Sequence, residues 1–285
     1  MYILGWFAQQ EILFQRRCNA GAVNTFRAAS AIITYFYGMA SRSIVFLGSK
    51  PIGYACFQYL LEQCTVLDIA VSGLLTQERK EFGEGHDLTA LAQQHGIKVF
   101  ASLEELPECD VLYSVQYHKI LKAEHIARAR QLAVNLHMAP LPEYRGSNQF
   151  SFAIMDGKKE FGTTIHRMDN RIDHGDILFQ KRFPIPENCW VDQLYRLTYE
   201  ASVRLFCQTL KHVLSGNFVP VPQADLLPRY GTSLHMKNEM ETLKQINLSE
   251  FPEMIERRIR ATSMPGFEPP YCMIGGEKVY FKRGE

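Results

Sequence analysis

LAVNLHMAPLPEYRGSNQ, residues Leu132 to Gln149, is the stretch whose reading decides the fold. Leu132, Val134 and Leu136 alternate with Ala133, Asn135 and His137, the pattern of a short buried strand. Side chains two apart on a strand share a face, so Asn135 and His137 project the same way. Pro140 and Pro142 forbid continuation of a helix or a ladder. Tyr144-Arg145-Gly146 closes the loop, and a helix opens near Ser147 or Asn148. An amide and an imidazole therefore sit at the carboxyl end of a strand, above a stiff loop. In open α/β sheets that edge is where ligands bind.

A histidine beside an apolar strand is more often a packed core residue than a catalyst. The next polar stretch shifts the balance. Residues 163–180, TTIHRMDNRIDHGDILFQ, read as a strand, a polar turn and a return strand. Asp169, Asp173 and Asp176 lie in or beside that turn, so a carboxylate can come down beside His137. Such a neighbour is expected to fix the imidazole's tautomer and raise its proton affinity. Asn, His and Asp together suit acyl transfer rather than phosphate or hydride chemistry. His166 falls on the strand rather than with the turn acids, and no H-E-x-x-H or comparable spacing is present, so no metal is expected.

Upstream, SIVFL (Ser43–Leu47) is a β-run, and GSKPIGYACFQYLLEQ is a Gly-bounded turn into a helix with Pro51 at its first position. Strand, Gly-rich turn and helix suggest a phosphate-binding unit. The string G-S-K-P-I-G matches neither G-x-G-x-x-G nor a P-loop. VLDIAVSGLL reads as a second strand, QERKEFGEGHD as a loop, and DLTALAQQHG as a helix ending at Gly96. IKVF is a third strand and CDVLYSV a fourth, ending at SVQYH. This alternation implies an α/β fold with a Rossmann-like, mostly parallel twisted sheet flanked by helices. Downstream, NQFSFAIMDG is a short helix and Val191 to Leu214 a long one, with Leu194, Leu197, Ala201, Leu205 and Val213 as its apolar face. VPVPQADLLPRYGTSLHM reads as irregular, Phe251 to Ile259 as helical, and PYCMI with KVYFK as a hairpin across Gly275-Gly276. The expected division is an extension at 1–38, a catalytic domain at 39–216 and a small C-terminal region at 217–285.

Of the 285 residues, 46% are hydrophobic and 21% charged, and the formal charge is +1. Nothing in that balance argues for a polyanion surface, so no nucleic-acid partner is expected. Cysteines at 18, 56, 64, 109, 189, 207 and 272 are scattered, odd in number and without a C-x-x-C pair. That pattern argues against a disulfide framework or a zinc site and points to a reducing, cytoplasmic compartment. Cys56 and Cys207 read as core residues. Residues 1–38 carry Arg16, Arg17 and Arg27 against Glu11, and their apolar run AIITYFY falls short of the ~20 residues that span a bilayer. No membrane partner is expected. Of three readings for this segment, an early start codon, a transit-like leader and a helical extension, the first is favoured, because Met39-Ala40-Ser41 lies just before the first strand. A chain beginning at Met39 is then expected to be as active as the whole.

N-x-H, LP-x-YRG and HRM-x(4)-D-x-GDI together resemble the formyltransferases that use 10-formyltetrahydrofolate. The fuller string NLHMAPLPEYRGSNQF, with FLGSKPIGY and SVQYH, is similar to the branch acting on nucleotide-linked amino sugars. The resemblance spans Ser43 to Lys282. It implies transfer of a formyl group from 10-formyltetrahydrofolate to the amine of a nucleoside-diphosphate-linked amino sugar, giving a formamido sugar for glycan or lipopolysaccharide synthesis. Asn135, His137 and Asp173 would be catalytic, with Asn135 or His137 bonding the oxygen of the tetrahedral intermediate and His137 also able to take the amine's proton. For the cofactor it implies Gln116 and Tyr117, in a loop lining the pterin largely through its backbone, with Met138 and Asp176. For the substrate it implies Lys50 facing a pyrophosphate, with Arg145, Gln149 and Tyr230. Residues 217–285 would complete the nucleotide-sugar pocket, and a homodimer is an open expectation. Three other readings stand beside this one. A methionyl-tRNA formyltransferase-like enzyme would lack its C-terminal β-barrel, for which a chain ending at Glu285 leaves no room. A 10-formyltetrahydrofolate hydrolase would normally carry an N-terminal regulatory domain, for which 1–38 is too short. A non-catalytic nucleotide-binding module would have no use for the Asn, His and Asp set. The sugar, its amine position and the choice among dTDP, UDP and GDP stay open.

Overall fold

The structure, a computed structural model, describes residues 41–77 and 86–283. The 1–38 extension and most of the QERKEFGEGHD loop lie outside the described residues. The chain opens with β1 (Arg42–Gly48) and α1 (Lys50–Glu62), where Pro51 stands in the first turn. A helical turn over Cys64–Leu67 follows, ended by Asp68 in the left-handed region, so the second strand is shorter than its apolar run suggests. Then come β2 (Ile69–Thr76), α2 (Leu88–Gln94), β3 (Val99–Phe100), β4 (Cys109–Val115) and β5 (Ala129–His137). Asp87 caps α2 by accepting from the Ala90 N–H at 3.0 Å, and Gly96 takes φ 66° just beyond it. Side-chain caps of this kind satisfy an otherwise unpaired first-turn donor.

The second half contributes β6 (Tyr144–Gly146), α3 (Gln149–Met155), β7 (Glu160–Arg167), β8 (Ile177–Pro184) and the long α4 (Val191–Ser215). Next are α5 (Gln223–Tyr230), β9 (Ser233–His235), α6 (Glu239–Lys244), α7 (Pro252–Thr262) and the hairpin β10 (Tyr271–Ile274) and β11 (Glu277–Tyr280). Gly275 and Gly276 turn that hairpin with φ of 59° and 87°. The segment after α4 is more ordered than its prolines imply. α5 holds Pro228 in its last turns, which removes a single i to i−4 bond.

Seven strands form the central sheet, in the order β3-β2-β1-β4-β5-β7-β8. The first five run parallel; β7 and β8 are antiparallel to their neighbours. The sheet is therefore mostly parallel, with an antiparallel hairpin added beside β5. Alternation along β1 sends Ile44 and Phe46 to one core and Val45 and Leu47 to the other. The first core packs under α1 and α4 through Phe57, Leu60 and Phe206, with Cys56 buried and Cys207 half-buried at its margin.

α4 buries more than its apolar stripe. Thr198, Ser202 and Thr209 also face inward, and each hydroxyl bonds a carbonyl one turn back, at 2.7, 2.6 and 2.7 Å. A buried hydroxyl so paired carries little cost. Leu197 and Ala201, expected on that face, are only half-buried.

Candidate active site

The site forms where β1, β4 and β5 end. β1 and β4 are neighbours although β2 and β3 intervene in sequence, so the sheet's winding reverses between them and opens a crevice at their carboxyl ends. A cleft of about 600 Å³ lies there. Lys50 follows β1, Gln116 follows β4, and Asp173 sits in the β7–β8 turn. All three line the cleft and have left-handed backbones, with φ of 64°, 53° and 45°. Such conformations cost about 1–3 kcal/mol each outside glycine and persist where surrounding contacts impose them. Here the contacts are visible. Lys50 Nζ donates to Gln116 Oε1 at 3.0 Å, and the Ser49 hydroxyl donates to the Gln116 carbonyl.

β5 delivers Asn135 and His137 to this cleft, as alternation requires. β7 holds the end of the strand through two hydroxyls. Thr163 Oγ1 donates to the His137 carbonyl at 3.0 Å, and Thr164 Oγ1 to the Ala139 carbonyl at 2.8 Å. Gln180 Nε2 donates to the Leu141 carbonyl at 2.9 Å, fixing the proline loop. The chain then returns so that Gly146 N–H donates to Asp173 Oδ2 at 2.9 Å. β9 lies parallel to β6 and seals this loop, with Ser147 N–H donating to the His235 carbonyl at 2.8 Å.

Asp173 stands at the centre. Its Oδ2 is 3.5 Å from His137 Nδ1, and its Oδ1 is 3.4 Å from both Asn135 Nδ2 and His166 Nε2. Burial alone would raise its carboxyl, but the His137 and His166 imidazoles and the Gly146 N–H together hold it well below the usual carboxylate range. His137 is buried, and burial lowers its proton affinity against the opposing pull of Asp173. The pair at rest is thus an ionised carboxylate beside a neutral imidazole.

The tautomer is fixed differently from expectation. His137 Nε2 lies 2.8 Å from the Tyr144 carbonyl oxygen, which can only accept, so Nε2 carries the hydrogen. The backbone, not Asp173, sets the tautomer and leaves the Nδ1 lone pair beside the carboxylate.

Of the residues expected from sequence, Asn135, His137, Asp173, Gln116, Tyr117 and Lys50 line one cleft. Met138, Asp176, Arg145, Gln149 and Tyr230 lie outside its lining. Met138 follows directly after the end of β5, and its side chain is buried in the core rather than in the cleft. Asp176 stands 4.0 Å from Arg167 at the outer end of the turn. Gln149 is buried at the start of α3. Arg145 pairs with Leu234 between β6 and β9, with Nε buried and without a hydrogen-bond partner among the described residues. The ring of Tyr230 lies under the Arg182 guanidinium at 4.2 Å.

Sequence reasoning missed His166. It stands directly across from Asn135 in the β5–β7 register and is buried beside Asn135 on the same face of the sheet. The signal was present in the HRM string, but it has meaning only once β7 is known to pair with β5. Also missed were the wall of Ile120, Leu121, Ile126 and Met168 and, within the 217–285 region expected at the pocket, the particular residues His235 to Asn238. Nothing local in those stretches marks them. Among the described residues no group of His, Cys, Asp or Glu is arranged to hold a metal ion, and no helix is long and apolar enough to cross a membrane.

Residues 73–210 match the family model described as formyl transferase. A methionyl-tRNA formyltransferase of Syntrophomonas wolfei is 27% identical over 253 residues, covering 83% of this chain and 77% of that one. Among solved structures, WlaRD, a sugar 3N-formyl transferase crystallised in the presence of dTDP and 5-N-formyl-THF, superimposes with a TM-score of 0.70 at 22% identity over 85% of each chain. The N-formyltransferase from Helicobacter canadensis, in complex with folinic acid and dTDP-3-aminofucose, gives a TM-score of 0.67 at 24% identity over 83% of this chain and 85% of that one. The structural likeness establishes the shared fold, and the match to the formyl transferase family covers β3, β4, β5, β7 and β8 with Asn135, His137 and Asp173, which supports a formyltransferase enzyme.

Proposed function

We propose that the enzyme transfers a formyl group from 10-formyltetrahydrofolate to the amine of a nucleoside-diphosphate-linked amino sugar, giving a formamido sugar. The observation that carries this reading is the composition of the cleft. One polar floor, Asn135, His137 and Asp173, is shared by an apolar lining and a cationic one. Tyr117, Ile120, Leu121, Ile126 and Met168 suit a flat heterocycle, and Lys50, Lys119 and Lys237 suit a diphosphate. The structural neighbours with folinic acid and a dTDP-linked sugar support the same pairing. Residues 217–285 contribute the His235 to Asn238 segment to the cleft, which supports their role in completing the acceptor pocket.

The folate, when bound, supplies an activated formyl group. The chain's own residues then have separable tasks. His137 Nδ1 accepts the proton that the acceptor amine must lose, Asp173 stabilises the imidazolium so formed, and the same proton is available to the folate N10 as its bond to the formyl carbon breaks. Asn135 Nδ2 and the protonated Nδ1 are the donors for the formyl oxygen as it gains negative charge. Asn135's present contacts, at 3.2 and 3.4 Å, are long for N–H bonds, leaving a hydrogen to be re-aimed on binding. Lys50, held by Gln116, meets the phosphates.

The test is transfer from the folate donor to a panel of dTDP-, UDP- and GDP-linked amino sugars, with free formate measured in parallel. Lys50→Ala should raise KM for the sugar nucleotide more than KM for the folate. The name shared by the sequence relatives favours a second reading, so charged initiator tRNA belongs in the panel. Transfer to tRNA alone would replace the sugar by that acceptor. Formate released at the full rate without any acceptor would make the enzyme a hydrolase.

A further inference from the structure

We propose that His166 is a positioning residue for the formyl-transfer site, its unprotonated Nε2 holding the Asn135 side-chain amide with the nitrogen turned toward Asp173. The proposal rests on the reading of Asn135, His137 and Asp173 as the reacting centre. It starts from two hydrogen bonds. His166 Nδ1 lies 2.7 Å from the Arg167 carbonyl oxygen, an acceptor only, so Nδ1 carries the hydrogen. In the neutral ring Nε2 is then a lone pair, and it lies 3.2 Å from Asn135 Nδ2.

An amide beside a lone pair has one acceptable orientation. Were Asn135 flipped, its Oδ1 would face the imidazole lone pair on one side and the Asp173 carboxylate on the other. Both contacts would be acceptor against acceptor in a buried site, where an unmade bond is costly. Asp173 Oδ1 takes the amide's other hydrogen from 3.4 Å, so two acceptors that are themselves 3.4 Å apart share one NH2 group. His166 is the nearer partner and is buried between β5 and the turn that carries Asp173. Its place on the strand is itself fixed, because Asn135 and His166 are register partners. The ring therefore settles which end of the amide is available as a donor, without touching substrate.

Two measurements test this, and the first does not depend on activity. Nitrogen-15 NMR of the full, histidine-labelled chain, assigned by the signals lost in His166→Phe, should show His166 with Nδ1 protonated and Nε2 bare. A protonated Nε2 overturns the proposal. The second is a double-mutant cycle read in turnover with the folate donor and whichever acceptor of the panel above is formylated. His166→Phe should lower kcat by at least about tenfold with both KM values within about twofold, and by less than about threefold when made in an Asn135→Ala background. Equal losses in the two backgrounds would show that His166 does not act through Asn135. A wild-type chain inactive on every acceptor would refute the functional reading instead, and the NMR result would still decide on His166. The same holds should His166→Phe fail to fold, with resonances then assigned through His166→Gln.

Discussion

Replacing Asp173 by Asn is the most informative single perturbation of this enzyme. The new side chain keeps the shape, and its Oδ1 can still accept from Gly146 N–H, now 2.9 Å from the carboxylate. What disappears is the charge facing His137 Nδ1 across 3.5 Å. At that separation, with an effective dielectric of about 20, a full charge pair interacts by about 5 kcal/mol. That attraction exists only when the imidazole is protonated, so it acts after the acceptor amine has given up its proton. If rearrangement recovers half of it, about 2.5 kcal/mol is lost, and turnover should fall by at least about seventyfold. His137→Ala removes the proton acceptor itself and should cost at least about a hundredfold. Because one residue works through the other, the double variant should be little worse than either single one. The assay is formyl transfer at saturating donor and acceptor, with nucleotide affinity measured by calorimetry and expected to stay unchanged. A loss below about fivefold for Asp173→Asn, or a double variant whose loss is the product of the two, would refute the pairing.

Other consequences can be checked on stability. Gly146 has φ 85°, and a Cβ there would lie 2.3 Å from the His235 carbonyl oxygen, so Gly146→Ala should part β9 from β6, destabilise the fold and release the N–H that holds Asp173; unchanged melting and turnover would contradict it. Tyr113 is buried with no partner for its hydroxyl among the described residues, so Tyr113→Phe should be neutral or stabilising by about 1 kcal/mol, a melting shift of up to about 4 °C. A clear loss of stability would mean that the hydroxyl is paired. Asp110 is held down to about 2, first by the Ser43 N–H and then by the Ser43 hydroxyl and Arg130. A lowered folded value stabilises above the unfolded value of about 3.9, and this contribution disappears as pH falls through the folded one. Asp110→Asn should therefore flatten the acid limb of stability between about pH 4 and about pH 2, and an unaltered limb would remove Asp110 from the account.

Local chemistry alone determined the α/β class, the β-run at 43–47, the long helix after Val191 and the hairpin at Gly275-Gly276. These depend on side-chain periods and turn residues that act within a few positions. The Asn135 and His137 pairing was legible for the same reason, since alternation on one strand needs no partner. That Asp173 meets them was legible only as a motif. The tertiary structure decided what depends on which strands become neighbours. Because β7 runs antiparallel beside β5, His166 comes to lie across from Asn135. Because β9 pairs with β6, a segment nearly a hundred residues away walls the cleft and carries the carbonyl that closes over Gly146. The hydrogen on His137 Nε2 likewise follows from where the Tyr144 carbonyl falls. Strand order, chain return and carbonyl placement are outcomes of burying two faces of one sheet at once, and no single stretch of sequence contains them.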